Sequence, residues 1–256
     1  MIMKTKIITY LNNKGGVLKT TLASNHAIYL SQLDYKVLII DTDPQNNIAL
    51  EFDIEEAKYT LNDVLFKNIN YKEAIINKEN IDIITCSKEL EFFDEKASEN
   101  LELKVPFLIP SELIQQIVKD EYYDYIIVDT ANKLNNLLSS VLWATEHVII
   151  PFSFGWTSLS GINNTINFIK EAQKVNKNLN IKTLVPVFTN MKTKLHQELR
   201  KQIQQRWTNI KVSDIFIKNS SIPEKFNTLY FKPFLACKRN HPLKEDFINL
   251  YKSLNI

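Results

Sequence analysis

Short, largely apolar runs alternate along this chain with stretches whose apolar residues recur every three or four positions. The runs are Ile7 to Leu11, Val37 to Ile40, Ile81 to Thr85, Tyr125 to Val128, His147 to Pro151 and Thr183 to Thr189. Their length and β-branched content predict parallel strands covered on both faces. The last run holds Pro186, which predicts a position towards a sheet edge. Between the runs, Leu22, Ala23, Ala27 and Leu30 fall at helical spacing, and Thr60 to Phe66 predicts a short helix with Thr60 as N-cap and Asp63 three residues on. Further helices are expected over Glu89 to Asn100, Val105 to Lys119, Leu134 to Ala144, Trp156 to Lys170, a basic stretch with Arg200, Lys201 and Arg206, and Leu243 to Leu254. Strands alternating with helices predict an α/β fold: one doubly wound, mostly parallel sheet with helices on both faces, built by residues 1–256 as a single domain.

Composition narrows the picture by exclusion. The net charge is +2 over 256 residues, so nucleic-acid binding would need a local basic patch rather than the field of the whole chain. Cys86 and Cys237 belong to no Cys/His cluster, and the histidines lack ligand spacing, which leaves metal and redox roles without support. No apolar run approaches the ~20 residues that span a bilayer. The opening MIMKTK enters a strand at once, with no room for a signal peptide, so a cytoplasmic protein is expected.

The candidate chemistry lies between Lys6 and Leu30. An apolar strand runs into Lys14-Gly15-Gly16-Val17-Leu18-Lys19-Thr20-Thr21, and a helix begins there. Strand, glycine-bearing loop, Lys-Thr and helix form a phosphate cradle, because loop amides and a helix N-terminus both face an anion. In such a cradle Lys19 reaches the β- and γ-phosphates and the Thr20 hydroxyl coordinates Mg²⁺. Asp129 follows the apolar strand Tyr125 to Val128, the Walker B arrangement that holds Mg²⁺ directly or through water. Asp41 and Asp43, after the second strand, emerge where ligands of open α/β sheets bind.

The early lysine of KGGVLKTT, the Asp41-Thr-Asp43-Pro-Gln45 motif and the Tyr125 to Thr130 stretch together resemble the ParA/MinD ATPases with a deviant Walker A motif. The resemblance extends more weakly over nearly the whole chain, and in it Asp214 to Ile217 is similar to the family's terminal strand. It implies a P-loop NTPase fold, ATP and Mg²⁺ as cofactors, and hydrolysis that is slow without a partner. It implies that residues Lys14 to Thr21 hold the nucleotide, that Lys14 reaches the partner's phosphates in an ATP-dependent homodimer, that Asp43 positions the attacking water, and that Asp41 supports the Mg²⁺ shell formed by Thr20 and Asp129. The chain is most similar to the short, ParA/Soj-type form without an N-terminal helix-turn-helix domain.

Two departures stand out. The family has glycine where this chain has Leu18, and a Cβ there crowds the phosphates or reshapes the loop. A working but weaker site is expected, with affinity reduced ~5- to 150-fold. The family usually continues D-x-P-P where this chain has Asp129-Thr130-Ala131-Asn132, and losing both prolines loosens the loop that senses the γ-phosphate.

By resemblance, the function is partitioning of a plasmid, chromosome or other cargo by a nucleoid-associated ATPase that grips nonspecific DNA and answers to a ParB-like or other adaptor protein. Lys192 and Lys218 match basic positions of the family; Lys194 and Arg200 lie close to them in sequence, and together they make the candidate DNA-binding set. A membrane-positioning ATPase like MinD is the less favoured reading, because the last helix mixes Glu245 and Asp246 with Lys244 and Lys252. A catalytically weakened scaffold is the third.

Overall fold

A computed structural model describes residues 4–99, 106–155, 158–189, 193–218, 220, 232–238 and 240–256. The strands are β1 (Lys6–Tyr10), β2 (Val37–Asp41), β3 (Ile75–Lys78), β4 (Ile81–Ile84), β5 (Tyr125–Asp129), β6 (His147–Ser153), β7 (Asn180–Thr189) and β8 (Ile217–Lys218). They form one sheet in the order β3-β4-β2-β5-β1-β6-β7-β8. Every pairing is parallel except β3 with β4. The helices are α1 (Lys19–Ser31), α2 (Asn47–Glu51), α3 (Leu61–Phe66), α4 (Phe93–Glu99), α5 (Ile109–Lys119), α6 (Asn136–Ala144), α7 (Ser158–Val175), α8 (Lys194–Arg206) and α9 (Leu243–Leu254). The expected doubly wound, mostly parallel sheet is the fold observed.

Alternation along the central strands divides the core between the two faces. Ile8, Tyr10, Ile39 and Ile127 pack with α1 and α9, while Ile7, Leu38, Ile40, Ile126 and Val128 pack with α3, α5 and α6. A third cluster joins β6 and β7 to α7 and α8 through Phe152, Ile162, Ile166 and Ile203. Burial on both faces explains why these strands read as unbroken apolar runs.

The last helix matches its expected limits. Leu243, Phe247, Leu250, Tyr251 and Leu254 are buried, and the Tyr251 hydroxyl donates to the Leu22 carbonyl of α1 at 2.9 Å. His26 stacks on Tyr251 with ring centroids 4.5 Å apart and meets the Tyr10 hydroxyl at 2.9 Å. Burial lowers its pKa to about 3, so it is a neutral packing residue. The Thr60 cap also forms: its amide and hydroxyl both donate to the Asp63 carboxylate, at 2.8 and 2.9 Å.

Elsewhere the boundaries differ, for local reasons. The run expected as the third strand is the second arm of a hairpin, β3–β4, whose Glu79-Asn80 turn has φ of 51° and 60°. Two left-handed residues suit a tight hairpin, but glutamate gives no sign of one in the sequence. Strand β7 starts at Asn180, earlier than expected, and is next to the edge. Pro186 fits because Leu184 bridges to Val212 and Val187 pairs with Ile217, so the proline falls between two pairings where no amide is required. The expected strand at Asp214 is reduced to Ile217–Lys218. Helix α6 begins two residues after Leu134, where the Asn135 side chain accepts from the Leu138 amide at 3.1 Å. Helix α7 continues to Val175; Trp156, its expected start, lies outside the described residues.

Candidate active site

Sheet register brings the acidic residues together. Tyr10, Asp129 and Asp41 stand in one row across β1, β5 and β2, at the carboxyl ends of the strands. Neighbouring strands are ~4.8 Å apart, so two carboxylates sit side by side where a parallel sheet opens. The loop after β1 then lies over that row. Asn12 donates to the Pro151 carbonyl at 2.7 Å, and the Asn13 amide donates to the Thr165 hydroxyl at 3.2 Å, which fixes the loop's first half against β6 and α7.

The second half of the loop begins α1. Gly16 has φ of 68°, a conformation in which side chains are strained. Leu18, the N-cap of α1, has φ of 62° and ψ of 28°. A leucine in this left-handed region is strained by roughly 1–2 kcal/mol. It therefore holds the backbone that glycine adopts freely, and its carbonyl still accepts from the Leu22 amide at 2.9 Å. The half-buried side chain packs on the core cluster around α1 while bordering the cleft.

The cleft is a cavity of about 800 Å³ whose walls include Gly15 to Thr21, Asp43 and residues 131–133. Lys19 is buried, and burial lowers its pKa against the charges of Asp129 and Asp43, which raise it. The Thr20 hydroxyl donates to Asp129 Oδ2 at 2.6 Å. Asp129 Oδ1 is buried without a hydrogen-bond partner among the described residues. Burial pushes Asp129 up to about 7, against the pull of the Thr20 hydrogen bond and of Lys19. A desolvated carboxylate with one unused oxygen beside a threonine hydroxyl fits a hard cation that keeps most of its ligands as water and phosphate. The residues present thus fit a magnesium–nucleotide complex: Thr20 and Asp129 on the cation, Lys19 and the loop amides on the phosphates.

The remaining expected site residues divide. Asp43 borders the cavity. Asp41 is buried below it, with both oxygens used: Oδ1 accepts from the Asp43 amide at 2.9 Å and Oδ2 from the Ile48 amide at 3.3 Å. Burial and the neighbouring Asp129 push its pKa well above the ordinary value. Its visible task is to hold the turn that carries Asp43. Lys14 points away from the cavity. Its ammonium lies 3.4 Å from the Ser153 hydroxyl and 3.5 Å from that of Ser158.

One site residue gave no signal in the sequence. Glu51, at the end of the five-residue α2, is buried and lines the cavity. Thr21 donates to its Oε1 at 3.1 Å, and the Ser24 hydroxyl donates to Oε2. Burial pushes Glu51 up to about 7 against these two hydrogen bonds. A buried glutamate facing hydroxyls three residues apart on a helix is detectable only once α1 and α2 are known to touch.

The members of the basic set differ in their surroundings. Lys192 lies outside the described residues. Lys194 is exposed in the first turn of α8. Arg200 pairs with Asp214 at 2.5 Å, and Lys218 with Asp246 at 3.0 Å.

Comparison with known proteins adds to this geometry. A family model described as an AAA domain matches residues 5–181. A "ParA family protein" of Mycoplasma pneumoniae is 31% identical over 235 residues, covering 84% of this chain and 83% of its own length. The sporulation initiation inhibitor protein Soj of Bacillus subtilis is 29% identical over 210 residues, with 78% and 81% covered. Among solved structures, a Borrelia burgdorferi protein described as a plasmid partition protein and bound to AMPPNP is 26% identical, with a TM-score of 0.75 and 99% and 100% of the two chains covered.

Proposed function

This chain belongs to the ParA family of P-loop ATPases, and on that footing we propose that it binds ATP with Mg²⁺ in the cleft, dimerises around it, grips nonspecific DNA and drives partitioning of a plasmid, chromosome or other cargo with an adaptor protein. The observation that carries the reading is the Thr20–Asp129 contact of 2.6 Å with a buried, unpartnered Asp129 oxygen beside it. The likeness to a plasmid partition protein bound to an ATP analogue supports the same ligand.

Each residue then has a task set by its place. Lys19 and the amides of residues 15–21 hold the phosphates in a cleft where burial strengthens their charge interactions. Mg²⁺, when bound, neutralises charge on the phosphate oxygens. Asp43, on the turn held by Asp41, orients water towards the terminal phosphate. Lys14, resting on Ser153 and Ser158 outside its own cavity, is free to serve the partner's nucleotide as a cation supplied in trans. The apolar face of α9 is taken up by α1, which weighs against a terminal helix lying on a membrane. No described helix is long and apolar enough to cross one.

The test joins sizing chromatography with mobility shifts on random duplexes. Wild type with ATP and Mg²⁺ is expected to elute as a dimer and shift DNA. Lys14→Ala is expected to bind ATP yet remain a monomer and leave DNA free. Dimerisation of Lys14→Ala equal to wild type would remove the role in trans.

A further inference from the structure

The cavity wall opposite the phosphate loop carries charge of its own. Asn132 and Lys133 line it together with Glu91. Of the described residues lining the cavity, Lys19 and Lys133 are the cations, while the ammonium of Lys14 rests on Ser153 and Ser158. Lys133 pairs with Glu91 at 2.6 Å, with 59% and 49% of the two side chains exposed. An ion pair that exposed is weak and is readily exchanged. A lysine bonded to a phosphate oxygen in a partly enclosed cleft has the stronger partner, since both groups are charged and the cleft screens them less.

The chain is arranged to let that exchange happen. Thr130 is fixed below the loop, its hydroxyl donating to the Tyr10 carbonyl at 2.7 Å. Asn135 is fixed above it as the cap of α6. Residues 131–134 lie between these anchors without proline or regular structure. The loop already reaches the phosphate loop: a Cβ placed on Gly15 would lie 3.4 Å from Asn132 Nδ2.

We propose that Lys133 is a sensor of the terminal phosphate, held by Glu91 when that phosphate is absent and transferred to it when a nucleoside triphosphate binds, with the Asn132 amide as a second donor. This rests on the reading of the cleft as an ATP site. It gives the sensing loop, which lacks its family's prolines, a charged contact in place of a rigid backbone. It also separates ATP from ADP, because Lys133 gains a partner only from the third phosphate. Glu91, left behind, sits on the turn Lys88–Phe92 that leads into α4, so the nucleotide state is communicated to that helix.

The experiment measures affinities for a non-hydrolysable ATP analogue and for ADP, each with Mg²⁺, by titration calorimetry. Lys133→Ala is expected to weaken the analogue ~10-fold and ADP less than ~2-fold. Glu91→Gln is expected to tighten the analogue ~2- to 5-fold in wild type and not in the Lys133→Ala background. Thermal melts control for folding; both side chains are half-exposed. Equal effects on analogue and ADP overturn the proposal, as does the same Glu91→Gln effect in both backgrounds. Wild type that binds ADP normally without these differences refutes the sensor alone; wild type that binds neither nucleotide refutes the ATP site and the sensor with it.

Discussion

The cleft beside α1 and the basic surface around α8 and β8 use the same kinds of charged residue under opposite conditions. In the cleft, Asp41, Asp129, Glu51 and Lys19 are buried, and burial moves the pKa of each towards its neutral form. Asp129 keeps a buried oxygen without a partner among the described residues, which costs free energy until a ligand compensates it, so the site is poised for cation and phosphate together. On the basic surface, Arg200 and Lys218 already have carboxylate partners, Asp214 and Asp246. Water screens what charge remains, and these two cations each present a pair rather than a free charge. One region keeps its charges out of water, with an Asp129 oxygen still unpartnered among the described residues, whereas in the other Arg200 and Lys218 have met theirs in exposed ion pairs.

Removing a buried charge tests that difference most strongly. Glu51 has its folded pKa raised from 4.5 to about 7. A carboxylic acid raised on folding stabilises the protein fully below its unfolded pKa, and that contribution is lost as pH rises through the folded pKa. Wild type without nucleotide is therefore expected to lose stability between about pH 5 and pH 8, with Glu51 contributing on the order of 2–3 kcal/mol. Glu51→Gln should melt higher than wild type at pH 8 and the same at pH 5. A difference independent of pH would mean that glutamate is ionised throughout.

A smaller effect is expected from freeing the basic surface. Asp214→Asn with Asp246→Asn leaves Arg200 and Lys218 without their carboxylates. Duplex affinity of the ATP form should rise ~2- to 5-fold at low salt and converge with wild type as salt screens the added charge. Unchanged mobility shifts at every salt concentration would place the DNA contact elsewhere.

The smallest effect belongs to Leu18, which lies in the cleft yet carries no charge. Leu18→Gly relieves the left-handed strain but loses packing on α1 and gains freedom in the unfolded chain. These terms offset, so the melting temperature should hardly move while ATP affinity rises less than ~5-fold. A gain of 100-fold would show that the side chain blocks the phosphates, as the sequence suggests when read without the backbone.

Much of the site was legible because it is local. Lys19 and Thr20 follow a strand and a glycine pair within a few residues, Asp129 closes a strand and Asp43 follows one; the central strands β1, β2 and β5 and helix α1 formed where their apolar spacing placed them. What failed was either not local or not marked. The Glu79-Asn80 hairpin opens on a glutamate, which does not announce a turn. Glu51 and Lys133 gain meaning only from neighbours 27 and 42 residues away, Ser24 and Glu91. Lys218 pairs not with Asp214, four residues before it, but with Asp246, which reaches it from α9.

Periodicity and motif order are properties of consecutive residues, and they determined the parallel sheet, the phosphate loop at its carboxyl edge and the apolar face of α9. Burial and pairing are properties of distant segments brought into contact. Only the tertiary structure decided that Leu18 takes a left-handed backbone, that Asp41 is fully engaged by amides, that Lys14 faces away from its own cleft, and that Arg200 and Lys218 are matched by acids. A side chain's charge is written in the chain, but its energy depends on which groups and how much water surround it, and those are set by the packing of helices onto the sheet.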